Sequence, residues 1–206
     1  MQRIRFKLAI LALVSSAASS LACDLEAICI GEQLSERNCA WCHGPSVQGF
    51  ATAPRLAGQH PAYIESQLWS FYNHGRDNPL SQQYMWPAAA KVDAVTAHEL
   101  AAYFAALEPE AACDGDEQLA AAGKAIYDQG IPEANIVSCV ACHGPNAQGV
   151  RDIPRLGGLS YPYLKRKLAQ WGEGFHLSAK VPMPSIASKL SEEQIAALAS
   201  YLSFVR

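Results

Sequence analysis

The stretch Cys39-Ala40-Trp41-Cys42-His43-Gly44-Pro45 returns at an offset of 100 as Cys139-Val140-Ala141-Cys142-His143-Gly144-Pro145. Two thiols three positions apart can add to the two vinyl groups of one porphyrin, and the histidine that follows can offer an imidazole nitrogen to the iron. C-x-x-C-H therefore reads as a covalent c-type haem attachment site, with Cys39, Cys42, Cys139 and Cys142 as thioether donors and His43 and His143 as axial ligands. A redox-active dithiol would want a strand-to-helix context, and a zinc site would want further Cys or His ligands in each half. The chain offers neither, so it is expected to carry two covalently bound haem c groups.

Repetition continues beyond the motif. Gln48-Gly49 matches Gln148-Gly149, and Pro54-Arg55-Leu56 with Gly58 matches Pro154-Arg155-Leu156 with Gly158, always at the same offset. A chain of 206 residues can bury two cores of ordinary domain size. The acidic, proline-containing stretch Glu108-Pro109-Glu110-Ala111-Ala112 marks the join. The resulting division is a leader over 1–22, a first domain over 23–108, a linker over 109–113 and a second domain over 114–206.

Arg3, Arg5 and Lys7 precede an apolar run from Leu8 to Val14, and small residues follow as far as Ser20-Leu21-Ala22. This three-part pattern is that of a secretory signal and predicts cleavage after Ala22. The run is short and broken by serines, whereas a membrane span needs about 20 mostly apolar residues. Export predicts a periplasmic product, which fits haem attachment outside the cytoplasm. Cys23, directly after the leader, could be lipidated and give peripheral membrane association, but Ser20 stands where a lipoprotein signal usually has leucine, and a soluble product is favoured. Cys23, Cys29 and Cys113 remain once the haem thiols are assigned. Cys23 and Cys113 sit in matching Ala-Cys-Asp triplets and are plausible disulfide partners in an oxidising compartment. The three possible pairings stay open.

The pattern is all-helical. Ser191 to Gln194 reads as a capping box, followed by Ile195, Leu198, Ala199 and Leu202 on one face. Asp93 is the matching cap, before Leu100, Tyr103, Phe104 and Leu107. Middle helices should begin near Pro61 and Pro162, because proline is accepted in a first turn. A further helix is expected to run into each pentapeptide. No alternating strand pattern competes.

Met1 leaves with the leader, so the mature chain keeps two methionines, Met85 and Met183. Counting forward from each, lysine stands at +6 (Lys91, Lys189), an aliphatic residue at +7 (Val92, Leu190) and tyrosine at +18 (Tyr103, Tyr201). A lone methionine is usually a gap-filling core residue. Two survivors at matched positions in polar, proline-containing loops read instead as the second axial ligands, and His/Met ligation raises the reduction potential. The rival is bis-His ligation by His74 and His176. His60 and His98 have no counterparts in the second half and read as surface residues.

The duplicated C-x-x-C-H, the run Pro54-Arg55-Leu56-Ala57-Gly58-Gln59-His60, the methionine loop and the tyrosine-bearing last helix resemble the diheme cytochrome c4 family, whose halves are each a class I cytochrome c domain. The resemblance implies an all-α fold of two tandem cytochrome c-like domains. It implies that Pro54 and Pro154 offer carbonyls to the second ring nitrogen of His43 and His143. It places Arg55 and Arg155 near haem propionates, although solvated surface arginines are an equal reading. An insertion from Tyr127 to Val137 and a methionine loop shorter by two residues set the second half apart.

Residues 23–112 carry 4 Lys/Arg against 10 Asp/Glu, whereas 113–206 carry 9 of each. This asymmetry could orient docking or serve solubility alone. Apart from Lys165-Arg166-Lys167 no basic run appears, which argues against a nucleic-acid partner. Filled axial positions point to an electron carrier rather than a catalyst. The resemblance implies redox partners of the respiratory chain, a quinol-oxidising complex as donor and a terminal oxidase as acceptor. The alternative is a diheme enzyme or enzyme subunit, thiosulfate-oxidising or dehydrogenase-associated.

Overall fold

Helices form where the capping and periodicity place them, as seen in a computed structural model that describes residues 25–50, 52–176 and 181–206. The first half contains α1 (25–38), α2 (Ala40–His43), α3 (Pro61–Tyr72), a π-helical turn (Ser81–Met85), α4 (Trp86–Ala89) and α5 (Ala94–Ala106). The second half repeats them as α6 (Glu117–Gln129), α7 (Val140–His143), α8 (Tyr161–Gly172), α9 (Met183–Ala187) and α10 (Glu192–Phe204). Asp93 accepts from the Thr96 amide, and Ser191 and Gln194 close a full capping box. Proline stands in the first turn of both α3 and α8. Extended pairing among the described residues is confined to isolated bridges such as Phe50 with Ala53 and Val150 with Ile153. The fold is all-α, as the sequence predicts.

Each half closes by crossing its first helix over its last, and a glycine makes each crossing possible. A Cβ on Gly31 would overlap the Glu99 carbonyl and lie 2.8 Å from Tyr103 Cβ; one on Gly123 would overlap the Ala197 carbonyl and lie 2.8 Å from Tyr201 Cβ. The backbones touch because nothing stands between them. Leu100, Ala101, Tyr103 and Phe104 then join Val47 and Ile64 in one core, while Leu198, Ala199 and Leu202 join Tyr127, Tyr163 and Leu164 in the other.

The two halves differ in how the first helix reaches its pentapeptide. In the first, the Cys39 amide donates to the Ser35 carbonyl at 2.8 Å, so the helical path continues from α1 into the motif. In the second, α6 stops at Gln129, ten residues before Cys139. The expected helix leading directly into the motif is not found there. A short 3-10 turn (Pro132–Ala134) and the Ile131–Ile136 bridge form an excursion whose apolar ends, Ile131 and Ile136, are buried. Ser138 Oγ ties it back to the Asp128 carbonyl at 2.8 Å. The Cys139 amide then donates to Tyr127, at 3.0 Å, in place of a residue four positions back. Ser35 and Tyr127, each four residues after its crossing glycine, are thus equivalent, and the inserted loop leaves the geometry of the motif intact.

Between the halves the chain is stitched by buried polar groups. Arg55 is only 4% exposed. It donates from Nε to the Ala57 carbonyl, from Nη1 to that of Glu110 and from Nη2 to that of Gly157 at 2.6 Å. The surface reading of Arg55 is therefore overturned. Its head is spent on three backbone acceptors at the join of the two halves. The Gln59 side chain donates to the Arg155 carbonyl at 3.0 Å and accepts from its amide at 2.8 Å. His60 is likewise no free surface group: its Nε2 lies 2.8 Å from the Gln148 carbonyl across the interface. His98 is exposed as expected, 3.0 Å from Glu65.

Arg55→Ala will remove the bonds to the Glu110 and Gly157 carbonyls and weaken the seam by about 2 kcal/mol, near 1 kcal/mol for each of these two acceptors. Scanning calorimetry will then resolve two melting transitions where the parent protein melts with its halves coupled; an unchanged single transition would refute the clip.

Candidate functional site

Both pentapeptides sit on a single helical turn, α2 and α7, where the amide of His43 donates to the Cys39 carbonyl at 3.0 Å and that of His143 to the Cys139 carbonyl at 2.9 Å. That turn brings the two thiols and the imidazole of each motif to adjacent positions on one surface. Gly44 and Gly144 follow with φ of 83° and 78°, a left-handed step that an L side chain resists, and the chain leaves the turn sharply. The loop is then folded back, for the amide of Gly49 donates to the His43 carbonyl at 2.9 Å and that of Gly149 to the His143 carbonyl at 2.8 Å.

His43 and His143 are both buried. His43 Nδ1 lies 2.7 Å from the Pro54 carbonyl and His143 Nδ1 lies 3.0 Å from that of Pro154. A carbonyl can only accept, so Nδ1 carries the proton and Nε2 keeps its lone pair for a metal. Burial lowers the pKa of both rings, against the smaller opposing effect of those hydrogen bonds, and keeps them neutral at physiological pH. Desolvation also pushes the Cys39 and Cys139 thiols up to about 11. Cys42 and Cys142 are exposed. Among the described residues no His, Cys, Asp and Glu side chains gather in threes to hold a metal ion on their own, as the zinc reading would require.

Met85 closes the π-helical turn and Met183 opens α9; both are half-buried. Their backbone settings differ, yet the surroundings register: Ala89 and Ala187, four residues on, are both fully buried, and the amides of Val92 and Leu190 donate to them. The helices α4 and α9 pack on α3 and α8 respectively. The rival histidines are engaged elsewhere. His74 stacks on Trp86 with ring centroids 3.9 Å apart. His176 is 1% exposed, its Nε2 lies 3.2 Å from Asn78 Nδ2 of the other half, and its amide donates to Asp77.

Cations crowd the interface beside these elements. Burial, with Arg76 and Arg166 nearby, holds Lys167 down to about 6, and burial with Lys167 and Arg76 holds His176 down to about 3. Two buried guanidinium nitrogens, Arg76 Nε and Arg155 Nε, find no acceptor among the described residues. His176 Nδ1 lies 3.3 Å from Asp77 Oδ1 without a well-formed hydrogen bond. Orphaned donors in a positive field fit a site built to receive an anion, and haem c brings two carboxylates. The residues present therefore fit the group at three points: thiols on a turn, a neutral imidazole with a free nitrogen, and unspent cationic donors.

Three features escaped the sequence. The crossing glycines Gly31 and Gly123 lie where the offset between halves is 92 rather than 100, so the alignment from the motif passes over them. Arg76 and His176, at matched positions, face each other's half with unlike chemistry. The interface roles of Gln59 and His60 had no local signal at all. Cys29 and Cys113 are free, exposed thiols, and Cys23, the leader and its cleavage point lie outside the described residues. None of the described helices is long and apolar enough to cross a membrane.

Comparison with known proteins gives the family of the chain. The cytochrome c family model matches residues 29–108 and again 120–205. Cytochrome c-552 of Acidithiobacillus ferridurans is 36% identical over 169 residues, covering 81% of this chain and 73% of that one. A thiosulfate dehydrogenase electron acceptor of Stutzerimonas stutzeri is 37% identical over 176 residues, covering 81% and 78%. Among solved structures, cytochrome c4 of Acidithiobacillus ferrooxidans superimposes with a TM-score of 0.76 at 35% identity, over 81% of this chain and 98% of that one. Two attachment turns, two locked histidines and this likeness over both halves lead to one conclusion: the chain belongs to the cytochrome c family as a diheme electron-transfer protein of the cytochrome c4 kind, with two covalently bound haem c groups.

Proposed function

We propose that the chain is an exported, periplasmic electron carrier in which His43 with Met85, and His143 with Met183, hold the two irons. The domains run from 23 to 108 and from 114 to 206. Haem c, when bound, supplies a one-electron ferrous–ferric couple. The chain contributes the rest: Pro54 and Pro154 fix the imidazoles, the thioethers complete the coordination, and the interface cations take the carboxylates. The observation that carries this reading is that both copies keep the complete set, including the paired Nδ1 contacts. A duplicated enzyme would be expected to open one site to substrate, whereas a carrier needs both closed. Its donor is a quinol-oxidising complex and its acceptor a terminal oxidase.

The test uses protein matured with haem c. Respiring membranes should reduce it when given quinol and reoxidise it through their oxidase, and carbon monoxide should leave both centres unchanged at neutral pH. Carbon monoxide binding, or turnover with thiosulfate alone, would replace the carrier by an enzyme.

The likeness to a thiosulfate dehydrogenase electron acceptor favours a second reading of the donor. Here thiosulfate reduces the protein only when a thiosulfate dehydrogenase is added. Reduction by that enzyme at a rate above that with quinol-fed membranes would select it.

A further inference from the structure

The two halves descend from one repeat, yet the first exposes aromatic rings where the second has small or aliphatic residues. Trp69 and Tyr72 stand against Ala169 and Gly172 on the middle helix, and another pair lies at the first C-x-x-C-H turn. Trp41 is 85% exposed and Phe50 is 75% exposed; the matched residues of the second half are Ala141 and Val150. Trp41 lies inside the attachment turn α2, and the loop carrying Phe50 is pinned to that turn by the Gly49 amide on the His43 carbonyl. One ring is thus carried by the first C-x-x-C-H turn and the other by the loop bonded to it. Both rings are left in water and neither contributes to the core of the first half. Aromatic residues of this kind are the usual anchors of a protein interface.

Charge selects the partner. Of the four cations between residues 23 and 112, Arg55 is buried and Arg76 half-buried at the interface between halves, leaving Arg37 and Lys91 outside against ten carboxylates. Three acidic residues belong to segments joined to those that carry the two rings. Gln48 binds the Glu108 carbonyl at 2.9 Å and the Glu110 amide at 3.0 Å, drawing both glutamates towards the Phe50 loop, and Glu36 leads α1 into the turn that holds Trp41. Arg166 reaches the same loop, where the Thr52 carbonyl takes its guanidinium at 2.7 Å. The corresponding loop of the second half is turned to other use: the Gln148 carbonyl is taken by His60.

We infer that Trp41 and Phe50 form the docking face for a redox protein whose own face has an apolar centre and a lysine- or arginine-rich rim, so that electrons enter or leave the molecule through the first half. This deepens the carrier reading above and rests on it. Apolar contact would hold the complex while the acidic surround steers it, and encounter should weaken with salt.

The probe is a gold electrode with a mixed film of methyl- and ammonium-terminated thiols, set against one of methyl- and carboxylate-terminated thiols. The holoprotein is expected to exchange electrons at least tenfold faster on the ammonium film, and W41A/F50V, which installs the residues of the second half, to lose that advantage. Both side chains are exposed, so the variant should keep its spectrum and its two haems. An equal rate on the carboxylate film, or an unchanged rate in W41A/F50V, would overturn the proposal. Sedimentation of the same samples tests the other occupant: a dimer in the parent that dissociates in W41A/F50V would make the face a contact between copies and overturn it too. If ferricyanide fails to oxidise the reduced protein in solution, the carrier reading itself has failed; if ferricyanide succeeds while the films do not discriminate, only the docking face is wrong.

Discussion

Gly123→Val will unfold the second half of the protein while the first still folds. The added Cβ would overlap the Ala197 carbonyl and come within 2.8 Å of Tyr201 Cβ, both on α10. Neither is the far end of a flexible side chain, so relief requires α6 and α10 to separate. That separation pulls Leu198, Ala199 and Leu202 away from Tyr127, Tyr163 and Leu164, the centre of the buried cluster of this half. Overpacking a well-filled core costs about 1–3 kcal/mol where it can relax; here the cost should exceed about 4 kcal/mol, which is most of the stability of a small domain. Gly172→Ala, in the same half, should have the opposite sign. A Cβ there meets nothing nearer than Ser188 Cα at 3.7 Å, so α8 gains helix propensity of about 0.5–1 kcal/mol. Denaturant titration followed by circular dichroism checks both. A tolerated Gly123→Val would mean that the helices do not touch at this crossing.

The contrast shows which features a sequence can disclose. The two C-x-x-C-H turns stood out in the sequence as attachment candidates because the chemistry proposed for them is local: thiol, thiol and imidazole must be adjacent in the chain to reach one porphyrin. The caps at Asp93 and Ser191 were legible for the same reason, since a cap and the amides it satisfies lie within one turn. The crossing glycines were not, because what makes Gly123 necessary is a carbonyl 74 positions away. Arg55 sat in a recognisable motif, and even so its acceptors at Glu110 and Gly157 are set by how the halves dock. The insertion before the second motif was visible as a length difference. That it leaves the Cys139 amide bonded to Tyr127, and so preserves the turn, follows only from the folded path.

Met85→Ala and Met183→Ala should each remove about half of the weak far-red band that a sulfur-ligated ferric haem gives, and the double variant should remove it all. The argument runs through what else could take the position. His74 is held face to face against Trp86, and freeing it would break a stack with a 3.9 Å centroid separation. His176 is wedged between Asn78 and Asp77 across the interface, with Trp171 against its edge at 5.3 Å. Neither can swing to an iron without opening the structure, whereas Met85 and Met183 lie in matched settings on segments packed against α3 and α8. Loss of the thioether also removes a ligand that favours the reduced state, so the potential of the altered centre should drop while its partner keeps its own. Intact mass separates ligation from attachment. The four cysteines are untouched, so each variant should still carry both haems. His176→Asn, by contrast, should leave the band at full strength. A band that Met183→Ala leaves unchanged, together with loss of the low-spin spectrum of the second haem in His176→Asn, would reverse the assignment and make the buried imidazole, for all its contacts with Asp77 and Asn78, part of the second metal centre.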